Sequence, residues 1–237
     1  MADEDVELAD PEQQLGSDTE GPPEQGDEEG GVIFVLEKAS LEAGKVGKTY
    51  QLLNCDDHSN FLRKHKRDPA LYRPDIVHQA LLAILDSPLN KAGRLKALYV
   101  KTDKNVLIQV NPHIRIPRTF KRFCGLMVQL LQKLSIRATN GSDKLLRVVK
   151  QPVTRHLPVG ARRVGMSFSA PKVVQLKDYV AAAGPKSTIV FVVGAMAHGK
   201  IEADYLDDFV AISEFPLSAA CCIGRICNAL ELMWGIL

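Results

Sequence analysis

Apolar residues along the chain follow two rhythms, and their alternation predicts an α/β fold. Val32-Ile33-Phe34-Val35-Leu36 is continuously apolar, and Thr188-Ile189-Val190-Phe191-Val192-Val193 is a β-branched and aromatic run that ends at Gly194. A strand without a polar face is buried on both sides, as strands of a parallel sheet are. Other stretches have helical spacing. Ile76, Ala80, Leu81, Ile84 and Leu85 form one face of a helix that Pro74 starts and Ser87-Pro88 stops. Phe123, Leu126, Met127, Leu130, Leu131 and Leu134 form the face of a second helix over 120–134. A further helix is expected over 52–63, running into Arg63-Lys64-His65-Lys66-Arg67, a charge run that reads as a solvated surface. Strands 98–100 and 106–110, joined by residues 101–105, read as a hairpin. Short strands are expected at 145–149 and 164–169, and a short helix at 173–183. A final helix at 219–234 carries Cys221, Cys222, Ile226, Leu230 and Met233. It is too apolar to stand free: either the chain's own core covers it or a second copy does, and its terminal position favours the second copy.

Charge divides the chain into two parts. Residues 1–31 hold 12 acidic residues and no lysine or arginine, so this segment carries −12; the whole chain is +2, and residues 32–237 therefore carry +14. A basic domain behind an acidic tail points to a polyanion such as nucleic acid, and the tail's Pro, Gly and Gln content reads as disorder. The remaining residues suit one large α/β domain at 32–237. No apolar run reaches about 18 residues and the acidic start is unlike a secretory signal, so no membrane segment is expected. Cys55, Cys124, Cys221, Cys222 and Cys227 form no C-x-x-C pair and are expected to be reduced. The six histidines are scattered without metal-ligand spacing; no metal site is expected, and His78, among apolar neighbours, reads as structural.

Two places carry candidate chemistry. Gly194 and Gly199 lie in the loop after the 188–193 strand, where open α/β sheets bind ligands and where glycine lets backbone approach them. Lys200 follows Gly199 as in a phosphate-binding loop, but Ile201 stands where that loop needs a hydroxyl for magnesium, which argues against nucleotide triphosphate hydrolysis. Around the start of the 120–134 helix, Arg115, Arg118, Lys121 and Arg122 crowd the positive end of a helix dipole, an arrangement that calls for an anion. Arg73 precedes the other helix, with Asp75 placed to brace its guanidinium.

Several segments together resemble a known family. They are Arg73-Pro74-Asp75-Ile76, Leu85-Asp86-Ser87-Pro88-Leu89-Asn90, Arg115-Ile116-Pro117-Arg118-Thr119-Phe120, the run 123–131, Phe191-Val192-Val193-Gly194-Ala195-Met196-Ala197-His198-Gly199-Lys200 and Pro216-Leu217-Ser218-Ala219-Ala220. In order and spacing they resemble the ribosome-biogenesis pseudouridine methyltransferases of the Nep/Emg type, in the SPOUT class, over about residues 32–237. The acidic tail matches nothing in that family.

The resemblance implies a SPOUT-type α/β sheet flanked by helices, with a trefoil knot near the carboxyl end. It implies transfer of a methyl group from S-adenosyl-L-methionine to N1 of a pseudouridine in small-subunit ribosomal RNA. A homodimer is implied, working with pre-ribosomal assembly factors in the nucleus and nucleolus. By matching motif, Gly194, Gly199 and Ile212, Ser213, Glu214, Phe215, Pro216 and Leu217 would hold the cofactor, with Met166 or Ser167 from a neighbouring loop. Arg73, Arg115, Arg118 and Arg122 would hold RNA, with Asp75 positioning Arg73. Asp75 could instead be the base that takes the N1 proton; bracing the arginine is preferred, and the base is left unassigned. The alternative is a non-catalytic RNA-binding assembly factor on an enzyme's fold.

Overall fold

The computed structural model describes residues 30–139 and 141–237. The tail expected at 1–31 thus lies outside the described residues except for Gly30 and Gly31; both are buried, and Gly31 O accepts from Ile189 N at 3.1 Å. The sheet is built around β1, Val32–Ala39, whose first five residues have no exposed surface. It runs parallel to β4, Leu95–Thr102, on one side and to β9, Ile189–Gly194, on the other. Both apolar runs are therefore central strands with two covered faces and two paired edges, as their lack of alternation requires.

Beyond β9 the sheet adds β8, Arg162–Met166, and β10, Asp208–Val210, both parallel. Beyond β4 it turns antiparallel through β5, Leu107–Val110, β7, Lys144–Val149, and β6, Ser135–Arg137. The order is β10-β8-β9-β1-β4-β5-β7-β6. The predicted 98–110 hairpin is β4-β5. The strand expected over 164–169 stops at Met166, leaving Ser167 in the loop beyond it, and β6 had no sequence signal because it has three residues, none of them buried.

Helices cover one face. α2, Pro74–Leu85, α4, Phe120–Lys133, α5, Leu176–Ala183, and α6, Ala219–Trp234, enclose the larger core, in which Phe34 and Phe191 approach at 6.1 Å between ring centroids. The opposite core contains Ile33, Val35, Tyr99, Val190 and Val192 and is closed by residues from the 153–161 and 195–209 connections. α3, Pro88–Lys91, is a single turn capped by the Ser87 hydroxyl, which accepts from Asn90 N at 3.1 Å.

Three expectations need correction. The helix expected over 52–63 is preceded by an antiparallel hairpin, β2, Ala43–Val46, and β3, Thr49–Leu52; the helix, α1, Cys55–Lys64, starts only after Asn54, whose Oδ1 accepts from Asp56 N and Asp57 N. The basic run at the end of α1 is not wholly solvated: Arg67 turns inward to pair with the buried Glu42 just before β2, and the Tyr72 hydroxyl donates to Glu42 Oε2 at 3.3 Å. Of the apolar residues named on α6, Cys222, Ile226 and Leu230 are buried by their own chain, chiefly by α2 and α5, while Cys221 stays exposed. Burial within the chain satisfies the same hydrophobicity that the terminal position assigned to a partner.

Removing Arg67 takes the nearest cation from a buried carboxylate, leaving it Tyr72 and Lys104 Nζ at 3.9 Å, so Arg67→Ala should lower unfolding free energy by about 1–3 kcal/mol. Lys64→Ala, on the exposed side of the same run, should stay within about 0.5 kcal/mol of wild type. Urea unfolding of both variants measures the difference; equal values would return Arg67 to the solvated surface.

Candidate functional site

The parallel strands β8, β9 and β10 end on a single cavity of about 550 Å³. Its walls are the 167–169 turn after β8, the 194–201 stretch after β9 and the 210–220 stretch after β10, with Arg73, Ile76 and Gln79 closing it from α2. The loops are fastened at their roots. Ser167 N donates to Val210 O at 3.0 Å, Val174 N donates to Ala211 O at 2.9 Å, and Ser167 Oγ and Ser169 Oγ share a hydrogen bond of 3.1 Å. Ser218 caps α6, its hydroxyl accepting from Cys221 N at 3.2 Å, and Ala219 and Ala220 of this first turn line the cavity. The positive end of a 16-residue helix dipole therefore borders the space.

The two glycines play different parts. Gly199 has φ +115°, a conformation in which a side chain is strained. Gly194 has no such φ; a Cβ there would stand 3.0 Å from Met196 Cε, so a larger residue would displace that methionine in the cavity wall. Ser167, Gly194, Gly199, Ile212, Ser213, Phe215 and Leu217 all line the cavity, whereas Glu214 and Pro216 belong to the same stretch without lining it. Gln79, His198 and Cys222 were not assigned to the site by sequence, and Lys200 was weighed only as the lysine of a phosphate-binding loop. Gln79 lies one turn after Ile76 on α2, and that helical spacing is the signal that could have found it. Burial pushes the Cys222 thiol up to about 12, so it lines the space as a protonated, apolar group.

Arg73 lines the cavity and is gripped by Asp75, Nε to Oδ1 at 2.8 Å and Nη2 to Oδ2 at 2.7 Å. These bonds hold the Asp75 carboxyl below the usual carboxylate range. A carboxylate so engaged orients its arginine and is a poor proton acceptor, which fits the bracing role. His78, three residues further along α2, donates from Nε2 to Pro117 O at 2.7 Å and stacks on Phe123 at 4.6 Å; it is structural, as its neighbours implied.

That bond also fixes the loop bearing the other arginines. Asn90 Nδ2 donates to Pro112 O at 2.9 Å at the loop's start, and His78 holds its end. Arg115, Arg118 and Arg122 are all exposed, and none of them lines the cavity. Arg118 pairs with Asp86 at 3.2 Å, while α4 has no acidic residue in its first turn and no side-chain cap from Thr119. The structure thus brings most of the cofactor candidates together around one cavity with Arg73 on its edge, and leaves the other three arginines outside it, Arg118 pairing at the opposite end of α2 from Arg73. Among the described residues no cluster with metal-ligating composition occurs, and no helix is long and apolar enough to cross a membrane.

Parallel strands ending on glycine-containing loops with a cavity beyond them are the arrangement by which open α/β sheets take small ligands. The chain belongs to the EMG1/NEP1 methyltransferase family, whose model matches residues 34–231. It is 57% identical over 206 residues to the ribosomal RNA small subunit methyltransferase NEP1 of Homo sapiens, covering 87% of this chain and 83% of that protein. It is 31% identical over 218 residues to the Nep1 of Staphylothermus marinus, covering 86% and 88%. The fold is shared with the solved structure of Archaeoglobus fulgidus Nep1 bound to S-adenosylhomocysteine, at a TM-score of 0.63 and 23% identity, covering 86% of this chain and 99% of that one.

Asp75 ionises below its ordinary range in the fold, so its pair with Arg73 stabilises fully above the unfolded carboxylate pKa of about 3.9 and fades as pH falls through the lower folded value. Asp75→Asn should therefore lower unfolding free energy at neutral pH, by less than about 1 kcal/mol because both side chains are part exposed, and the gap should close at strongly acidic pH. Denaturant titrations across that range test it; a gap constant in pH would exclude the pair as its cause.

Proposed function

We propose that this protein transfers a methyl group from S-adenosyl-L-methionine to N1 of a pseudouridine in small-subunit ribosomal RNA. The observation that carries the reading is the cavity at the ends of β8, β9 and β10, with Arg73, braced by Asp75, on its edge. The residues present fit the cofactor. The volume lies within the range of about 300–1,000 Å³ usual for small-molecule sites. Met166, Val193, Ile212 and Leu217 offer apolar walls, Ser167, Ser169 and Ser213 offer hydroxyls, and the start of α6 suits a carboxylate.

When bound, the cofactor supplies a methyl group on a sulfonium, and its transfer to nitrogen needs chiefly alignment of the reacting atoms. Gly194, Gly199 and the 212–217 stretch hold it, Glu214 and Pro216 shaping the stretch from outside the cavity. Arg73, held by Asp75, orients the incoming nucleotide at the cavity edge, and Arg115, Arg118 and Arg122 bind the RNA that carries it. The base that takes the N1 proton is left unassigned.

The trefoil knot belongs to the same reading. It is supported by the path of the chain, which adds β10 outside β8 after β9 has filled the place between β8 and β1, and then packs α6 on α2 and α5. A homodimer is supported by Phe168 and Phe215, which rim the cavity with 56% and 72% of their surface exposed. Work alongside pre-ribosomal assembly factors in the nucleus and nucleolus follows from the substrate proposed, and so does the +14 charge of residues 32–237.

Gly194→Val should abolish S-adenosyl-L-methionine binding in calorimetry while leaving the affinity for a pseudouridine-containing stem-loop within twofold. Unchanged cofactor affinity in a folded variant would remove Gly194 from the site. Arg115→Ala, Arg118→Ala and Arg122→Ala should each weaken stem-loop binding more than Lys64→Ala or Lys66→Ala, and each should lower the log-log salt slope by about 0.7–0.9. Equal losses from both groups would mean that RNA is held by overall charge alone.

A further inference from the structure

The connection between β9 and β10 supplies much of the cavity wall, and it is tied at two places to one buried residue. Glu37, 3% exposed, lies near the end of β1 in register with Gly194. Its main-chain carbonyl accepts from Ala195 N at 2.8 Å, which fixes the start of the connection. Its Oε1 accepts from the Tyr205 hydroxyl at 2.9 Å, which fixes the far half, and its Oε2 faces Lys101 Nζ at 3.4 Å. The next residue, Lys38, pairs with Glu202 at 3.3 Å. Between these fastenings, Met196 to Ile201 line the cavity, while Ile201 and the Tyr205 ring pack into the core beneath. Glu37 and Tyr205 do not line the cavity themselves.

We infer that Glu37 and Tyr205 form a latch that holds the 195–205 connection in its ligand-binding conformation and so sets cofactor affinity from outside the cavity. The inference rests on the reading of the cavity as the cofactor site. A loop that samples other conformations binds more weakly in proportion to the fraction of time it spends in the competent one. The hydroxyl ties down the middle of the far half of the connection: without it, a nearly fully buried carboxylate loses one of its partners, and between Ala195 and the Arg163–Asp207 fastening at the root of β10 the stretch keeps the partly exposed Lys38–Glu202 pair. Burial, with Glu37 adding to it, pushes the Tyr205 phenol far above its ordinary range, so it stays a donor wherever the protein is folded. Both are positioning residues; neither touches the reacting atoms.

The test compares wild type, Tyr205→Phe, Glu37→Gln and the double variant by calorimetry with S-adenosylhomocysteine and by amide hydrogen exchange. Tyr205→Phe keeps the packed ring and should weaken binding about tenfold, the loss of one hydrogen bond to a charged group. Exchange in 196–204 should rise while β9 keeps wild-type protection, and stem-loop RNA affinity should hold. The double variant should lose less than the product of the single losses, because both singles act on one bond: Tyr205→Phe removes its donor, and Glu37→Gln leaves an acceptor but makes it neutral. Wild-type affinity and unchanged loop exchange in Tyr205→Phe would overturn the latch, and so would exchange that rises equally in β9, a sign of general destabilisation. If wild type itself does not bind S-adenosylhomocysteine, the cofactor reading fails, and the exchange comparison still decides whether the latch exists.

Discussion

Everything in this molecule hangs on the double parallel pairing of β1. Its five fully buried residues can hold their main-chain groups in the interior only because β4 and β9 satisfy both edges. That requirement brings residues 95–102 and 189–194 together across nearly a hundred positions of sequence. It also places the carboxyl ends of β1 and β9 side by side, so that Glu37 and Gly194 face each other where the site begins. The cavity is a consequence: parallel strands end at a common edge, and the connections leaving β8, β9 and β10 have to diverge there.

α2 joins the two halves of the proposed chemistry. Its start carries Arg73 and its first turns carry Ile76 and Gln79 to the cavity, while His78 ties the loop before α4. The arginines that suit RNA are thereby set on a backbone anchored by His78 and Asn90, and their side chains remain in solvent. This is a sensible division of labour for a polyanion site, in which main-chain position is fixed and long cationic side chains adjust. Buried polar residues elsewhere act as fasteners: Glu42 collects Arg67 and Tyr72, and Glu37 collects Tyr205 and Lys101.

The sequence by itself determined the elements whose signals are local. Continuous apolar runs gave β1 and β9, helical spacing with Pro74 and Ser87-Pro88 gave α2, and the arginines at the start of α4 stood out by breaking the rule of the helix dipole. Motif similarity pointed to part of the cavity wall, since Gly194, Gly199 and the 212–217 stretch are short contiguous segments, although Glu214 and Pro216 do not line it. What only the tertiary structure decided depends on pairings between distant residues. Arg67 belongs to a charge run, and nothing within that run shows that Glu42 waits for it just before β2. The apolar stripe of α6 is equally hydrophobic whether its own α2 and α5 or a second copy covers it, because burial is blind to which chain supplies the cover. Glu37 and Tyr205 lie 168 positions apart, and only the sheet that packs β1 against β9 brings their side chains within a hydrogen bond of each other.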